Sequence, residues 1–551
     1  EYTYNSRKQI ASVREKQVKS DGSVVDGGRL LITYTQNQTK FVDHNNNVQI
    51  MQFNDWGNTI SIQDEEGRAQ YAQYALNNSG DSSKSVNDNT IKANQIRISS
   101  RMQNTVCNME VGGNFEQGTS WWVSINGSVT LSSSAEHSYY GNQSMKLVRS
   151  SAGVISGVYG CPIIVEAHGW PTLTFSAYVK TEPGANVMLG FGDKNGNVFA
   201  LSEVVDGNSD WTRLQVSYAP PGTAEMTYVY PVVLTTNAGT VYVDCVQLES
   251  MPTASRFNLL DYGDYWGEYF LSEVGAWTKS SGMTVNDDSY DSHGNLPTPG
   301  MEATALRIIG DPAKQKYVSQ TITQSGVAGD CYVLAGWAYG NSVPAIENTD
   351  GTQREFGLRI TFNYNDGSSE SHFAPFSANI PEGEHWQYTA TPAVAQKEYG
   401  SITVQVVYNY GANTVLFDGI QLFKESFGSS YDYDDKGNVV SVKDLQNQRT
   451  DYEYNTAGDL TRILQDNKAK VTYTYDDNHN VKTATTEEGI VYGFEYDSYG
   501  NNTAVKVLYN DVPISVTATY TDDGNRLLTT ADDIGKVTTY NYNENTNVLE
   551  W

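Results

Sequence analysis

Three strand-like stretches carry the side chains best suited to recognition chemistry. In "TLTFSAYVKT", Leu173, Phe175, Ala177 and Val179 share one face, while Tyr178 shares the other with Thr172, Thr174, Ser176 and Lys180, because residues two apart in a strand point the same way. In "DWTRLQVSY", Trp211, Arg213 and Gln215 fall together, away from Leu214 and Val216. In "YVLAGWAYG", Trp337 lies opposite Leu334. An aromatic ring set among hydroxyls and amides suits a sugar, whose C–H face stacks on the ring while its hydroxyls meet hydrogen-bonding groups. The same rings would equally serve to pack beneath a loop. In "SITVQVVYNY", by contrast, Tyr408 and Tyr410 share a face with Ile402, Val404 and Val406 and read as core or rim.

Reaction chemistry finds little support. The seven histidines form no HxxxH or HExxH pair, and there is no GxSxG elbow, no P-loop and no Glu-x-Asp-x-x-Glu trio of the kind that would mark a metalloprotease, hydrolase, nucleotide site or glycosidase. The expectation is therefore that the chain is not an enzyme. Cys107, Cys161, Cys245 and Cys331 lie far apart without CxxC spacing, which argues against zinc and leaves buried thiols or a disulfide open.

The elements that must position these residues are strands. Tyr 38, Gly 48 and Asn-rich turns point to an all-β protein, and no long segment shows a helical apolar period. With Lys+Arg 36 against Asp+Glu 64, the net charge of −28 would repel phosphate backbones and anionic membrane surfaces, so nucleic acid is not expected as a partner. No apolar run is long enough for a membrane span, and no export signal is visible. The opening "EYTYN" already alternates like a strand, which suggests a fragment of something longer, so the missing signal does not argue for cytoplasm.

A repeat organises the last 120 or so residues. "YDDKGN" at Tyr433, "YNTAGD" at Tyr454, "YDDNHN" at Tyr475, "YDSYGN" at Tyr496, "YTDDGN" at Tyr520 and "YNENTN" at Tyr542 are spaced by 21, 21, 21, 24 and 22 residues. Each period alternates, turns through Asp, Asn and Gly, and alternates again, as a hairpin that needs neighbours to cover it. The motif resembles the YD repeat of RHS proteins, and the resemblance implies hairpins coiled into a continuous sheet, a hollow shell in bacterial toxins and teneurins. Phe53 and Tyr74 lie 21 apart in the same pattern, and Tyr4 begins a weaker copy. The family's C-terminal core motif, which precedes a toxic tail, is not present, so no protease or toxin activity is carried over.

Between the repeats a longer duplication appears. "TVYVDCVQL" and "TVLFDGIQL" place Asp244 and Asp418 174 residues apart, and Trp211 and Trp386 precede those aspartates by 33 and 32 residues. About eight short strands per copy suggest β-sandwiches, and the duplication pairs Tyr178 with Trp337. The segments "NFEQGTSWW", "GNQSMKLV", "TFSAYVKT", "DWTRLQVSY" and "YVDCVQLE" resemble the CenC-type carbohydrate-binding jelly roll. That resemblance implies a structural calcium near the first and last strands, with Glu116 and Asp244 at the matching positions of the first copy and Asp418 in the second; carboxylates suit calcium. The alternative is that these aspartates cap a strand end by hydrogen bonding.

The expected architecture is an all-β chain in which a YD-repeat hairpin sheet, a partial shell, flanks two tandem jelly-roll sandwiches. Its parts are YD-like repeats and linker over 1–105, a first sandwich over 106–257, a second over 258–427 and YD repeats over 428–551. The expected role is that of a secreted or surface-attached bacterial scaffold within a larger RHS polypeptide, binding a glycan or cell-surface polysaccharide through Tyr178, Trp211, Arg213, Gln215 and Trp337. Alternatives are a purely structural shell around a cargo, or a protein-binding adhesin.

Overall fold

A computed structural model describes the chain except residues 35–37, 54–56, 65–67, 77–92, 100–101, 104–107, 109–111, 166–171, 208, 223–226, 250–253, 262–276, 292–303, 341–342, 344–353, 378–385, 426–427, 435, 446–447, 510–511, 544–545, 547 and 551. Cys107, the stretch around 267–276 and most of the inserted loop at 341–356 lie outside the described residues. The described elements are strands and one short 3-10 turn, Ile125–Gly127. Two compact units divide the chain: residues 1–74 with 97–428, and residues 75–96 with 429–551.

Within the second unit, strands pair antiparallel in chain order from Ser429 to Thr539. The repeat motif explains the corners. Asp434 accepts the N–H groups of Lys436 and Asn438 at 2.9 and 2.8 Å, and Gly437 takes φ 88°, a left-handed conformation that a Cβ would strain. The repeat tyrosine has its own task. Tyr454 donates its hydroxyl hydrogen to the Val439 carbonyl at 2.8 Å and Tyr475 to that of Leu460 at 2.6 Å, so each of these rings ties its hairpin to the one before.

In the first unit, seven strands from Tyr2–Tyr4 to Arg68–Leu76 form a similar antiparallel meander. Two sandwiches share that unit. The first stacks a seven-stranded sheet on a five-stranded one, and the second stacks two five-stranded sheets. Both hold more than the eight strands expected, because short edge pieces such as Val123–Ser124 and Val205–Gly207 also pair. Alternation fills the first core with Leu173, Phe175, Ala177, Val179, Val187, Leu189 and Phe191. The second core gathers Leu334, Leu358, Ile360, Ile402, Val404, Val406 and Tyr408, and it extends to Phe257, Leu259 and Leu260 of the connecting segment and to Cys245 on the strand Gly239–Glu249 of the first sandwich. The junction is hydrogen-bonded as well: Asn258 donates to the Ile420 carbonyl at 3.1 Å and accepts from the Leu422 N–H at 2.9 Å.

The duplication is exact in register. Tyr178 pairs with Asp244 and Trp337 with Asp418, each beside a bulge, between Ser176 and Tyr178 in one copy and between Ala335 and Trp337 in the other.

Candidate functional site

The strands Leu173–Thr181 and Thr212–Tyr218 are adjacent, with Tyr178 opposite Arg213 and Ser176 opposite Gln215. Above them, the turn "HSYYGN" brings in Tyr139, a residue the sequence reading missed. Its ring stacks on Tyr178 with centroids 3.6 Å apart and planes at 14°, and Trp211 meets Tyr139 edge-on at 6.0 Å. The Arg213 guanidinium lies 5.6 Å from the Tyr178 ring centre and donates from Nη2 to Ser176 Oγ at 3.0 Å. Tyr178, Trp211 and Arg213 are thus brought together. Gln215 is engaged elsewhere, its Oε1 accepting from the Ala254 N–H at 3.3 Å. The clue in the sequence was the aromatic pair Tyr139–Tyr140 in a turn too short to bury both.

Trp337 requires a correction. Its ring is only 6 % exposed and packs with Val333, Ala335, Tyr388, Ala390 and Phe423, the Tyr388 ring centre 5.1 Å away. The adjoining strand Trp386–Val394 lies against Thr59–Gln63 of the N-terminal meander. Both faces of Cys331–Ala338 are buried, so alternation does not separate core from solvent here. A ring in this position is closed to a dissolved sugar.

The three carboxylates also have settled surroundings. Asp244 is fully buried; its Oδ2 accepts the N–H groups of Tyr139 and Tyr140 at 2.6 and 3.1 Å, and its Oδ1 that of Cys245 at 2.7 Å. Burial pushes this carboxyl up to about 7, against the pull of those N–H donors. Glu116 Oε1 accepts from the N–H groups of Asn142 and Gln143 at 2.7 and 2.8 Å. The two acids therefore staple one loop at two points. Asp418 is buried and accepts the Gly419 N–H at 2.8 Å. These oxygens are used to hold backbone N–H groups, and among the described residues no three His, Cys, Asp or Glu side chains are placed to hold a metal ion. Cys161, Cys245 and Cys331 are not joined in disulfides.

A second face went unnoticed in the sequence. On the seven-stranded sheet of the first sandwich, the register Val123–Tyr159–Val232–Gly190–Leu201 runs across five strands. It lies on the side away from the core, since Val158, Val233 and Leu189 point inward. The Tyr159 and Tyr230 ring centres are 5.0 Å apart at 72°, and Tyr228 and Leu201 are each 46 % exposed. The signal was the alternation of Tyr228, Tyr230 and Val232 in "TYVYPVV".

Residues 356–549 match the family described as Teneurin YD-shell. Two curated relatives are the tRNA(Glu)-specific nuclease WapA of Bacillus subtilis subsp. natto, 24% identical over 387 residues, and the tRNA nuclease WapA of Bacillus subtilis strain 168, 24% identical over 386 residues. Each alignment covers 67% of this chain and 16% of the relative. Among solved structures, the tandem CBM22-1-CBM22-2 domain of Paenibacillus barcinonensis Xyn10C is 14% identical with a TM-score of 0.21, covering 58% of this chain and 98% of that one. The Family 16 Carbohydrate Binding Module-2 is 22% identical with a TM-score of 0.19, covering 26% of this chain and 99% of that one. The expectation that the chain is not an enzyme is overturned by the relatives, which are named as tRNA nucleases. The chain spans about one sixth of their length. Among the described residues no helix is long and apolar enough to cross a membrane.

Proposed function

We propose that this chain is a scaffold segment of a longer, extracellular YD-repeat polypeptide, in which hairpin sheet holds a pair of sandwiches. The observation that carries this reading is the approach of Trp386–Val394 to Thr59–Gln63, in a sheet whose Trp337 is buried. A sandwich face used in this way positions the module and is not free to bind sugar. The tRNA-nuclease activity in the names of the relatives is proposed for the whole polypeptide, and cleavage of tRNA by that polypeptide is its assay. A chain of this size carried within it would act by placing and presenting what the rest of the polypeptide contains.

A second reading is favoured by the half-buried rings of Tyr159 and Tyr230, which pack over Val232 beside the exposed Tyr228 and Leu201. Aromatic rings partly exposed on a sheet face suit the stacking of neutral sugar rings. The first sandwich would then bind glycan, while the second serves as its support. A glycan array tests this on the 551-residue chain and its Tyr230→Ala variant. Binding that disappears in the variant is expected; a blank array, or binding indifferent to Tyr230, leaves the scaffold role alone.

A further inference from the structure

Arg213 is a half-buried cation in a chain of net charge −28, yet no carboxylate of the described residues pairs with it. Its neighbour Lys180 is paired with Asp210 at 3.3 Å. Its own bonds are one, from Nη2 to Ser176 Oγ, and its Nε is buried without an acceptor. The Tyr178 ring, 5.6 Å below, offers a cation–π contact but does not neutralise the charge. Arg359 in the second sandwich shows a complete set: it lies 5.3 Å from the Phe373 ring centre, bonds Gln405 at 3.1 Å, and is also paired with the Glu355 carboxylate. Arg213 has the ring and the neutral partner without the acid.

Beside the guanidinium, Tyr139 is 38 % exposed and Trp211 stands edge-on to it. A flat apolar surface and a cation with unused donors therefore meet at one place on the sheet. We propose that Tyr139, Trp211 and Arg213 form a site for a pyranose ring bearing a carboxylate, that is, a uronic acid unit of an acidic polysaccharide. The sugar's C–H face packs against Tyr139 or Trp211, and its carboxylate accepts from the Nη groups at the outer end of the Arg213 guanidinium, whose Nε is buried. The low local charge compensation makes such a pair strong, because a half-buried guanidinium is less screened than one in water. Only the ligand class rests on the glycan reading above; the site is on the other sheet and does not involve Tyr230.

The test is calorimetric titration of the whole chain with oligogalacturonate, with a glucuronate-bearing xylan oligosaccharide and with neutral xylohexaose. Binding of either uronate is expected, and which of the two binds identifies the source of the carboxylate. Arg213→Gln should weaken uronate binding about tenfold or more, Arg213→Lys should weaken it less, and Trp211→Ala should weaken it with the charge intact. None of the three should alter xylohexaose binding, which should respond to Tyr230→Ala instead. A wild-type chain that binds neither uronate, or an unchanged uronate affinity in folded Arg213→Gln and Trp211→Ala, overturns the proposal. If xylohexaose still binds through Tyr230 in that case, the glycan reading stands and only this site falls; if nothing binds, both fall.

Discussion

The two sandwiches share a register and use their outer faces in opposite ways. In the first, the five-stranded sheet carries Tyr178 and Arg213 among hydroxyls on its outer face, while the other sheet carries an apolar row of Val123, Tyr159, Val232 and Leu201 that is exposed at its ends and buried at Val232. In the second, the sheet equivalent to that of Tyr178 is apolar outside and closed around Trp337. Its partner sheet instead lines up Thr321, Thr403, Thr361 and Ser371, one hydroxyl per strand. Backbone pairing was copied, and the outer side chains were reassigned. The teaching is that a duplicated position keeps its place in the sheet and not its exposure, which depends on what lies above it.

The largest expected difference between the copies follows from that cover. Trp337→Ala leaves a hole in a packed face and should cost about 3–5 kcal/mol, whereas Tyr178→Ala removes a half-buried ring stacked on Tyr139 and should cost less, about 2 kcal/mol. Urea unfolding of the two variants measures both. Equal losses would mean that the Trp337 face is no better covered than that of Tyr178, and the contrast would collapse.

Much of the fold was legible because local rules govern it. The Tyr-Asp-x-x-Gly-Asn period is turn chemistry, and Asp434 and Gly437 do what their types dictate. The duplication was likewise readable from "TVYVDCVQL" and "TVLFDGIQL", whose aspartates occupy equivalent rungs. The site was less legible, since alternation identifies two faces without saying which meets water. For Leu173–Thr181 the polar face was real but only Tyr178 and Lys180 on it reach solvent, while for Cys331–Gly340 the small residues Ala335 and Gly336 hid a strand buried on both sides. Tyr139 was missed for another reason: loop residues have no period, and its place over Tyr178 is set by Asp244 and Glu116 holding the turn.

The next effect should appear on titration. The folded chain holds the Asp244 proton more tightly than the unfolded chain does, because burial lifts this carboxyl to about 7 from 3.8. Its contribution is fully present below the unfolded value and is lost as pH rises through about 7. Asp261, lifted to about 6 by burial at the junction, acts in the same direction. The melting temperature should therefore rise as pH is lowered from about 8 to about 6, and Asp244→Asn should flatten that rise. A rise undiminished in Asp244→Asn would assign it to the general relief of negative charge. A smaller contrast lies one residue on, where Cys245 and Gly419 occupy the two bulges at φ 51° and 57°. Gly419→Ala should cost about 1–2 kcal/mol for placing a Cβ in the left-handed region. Cys245→Gly should come out within about 1 kcal/mol of neutral, because the relieved strain offsets the lost burial of a small thiol. Denaturant melts that rank the two the other way would show that the bulges are not equivalent.

The smallest expected effect is that of removing metal. If Glu116 and Asp244 held a cation, their oxygens would converge on it and the loop at 139–143 would be secured through the ion. They accept four N–H groups of that loop instead, at 2.6 to 3.1 Å, so the loop is held by the backbone itself and excess EDTA should leave the melting temperature where calcium leaves it. Glu116→Gln keeps an acceptor for Asn142 and Gln143 and should cost only about 1 kcal/mol, with or without calcium. A melting temperature that drops in EDTA for the wild type and not for Glu116→Gln would show that the carboxylates bind a cation, and the first sandwich would then differ from the second by a metal as well as by its faces.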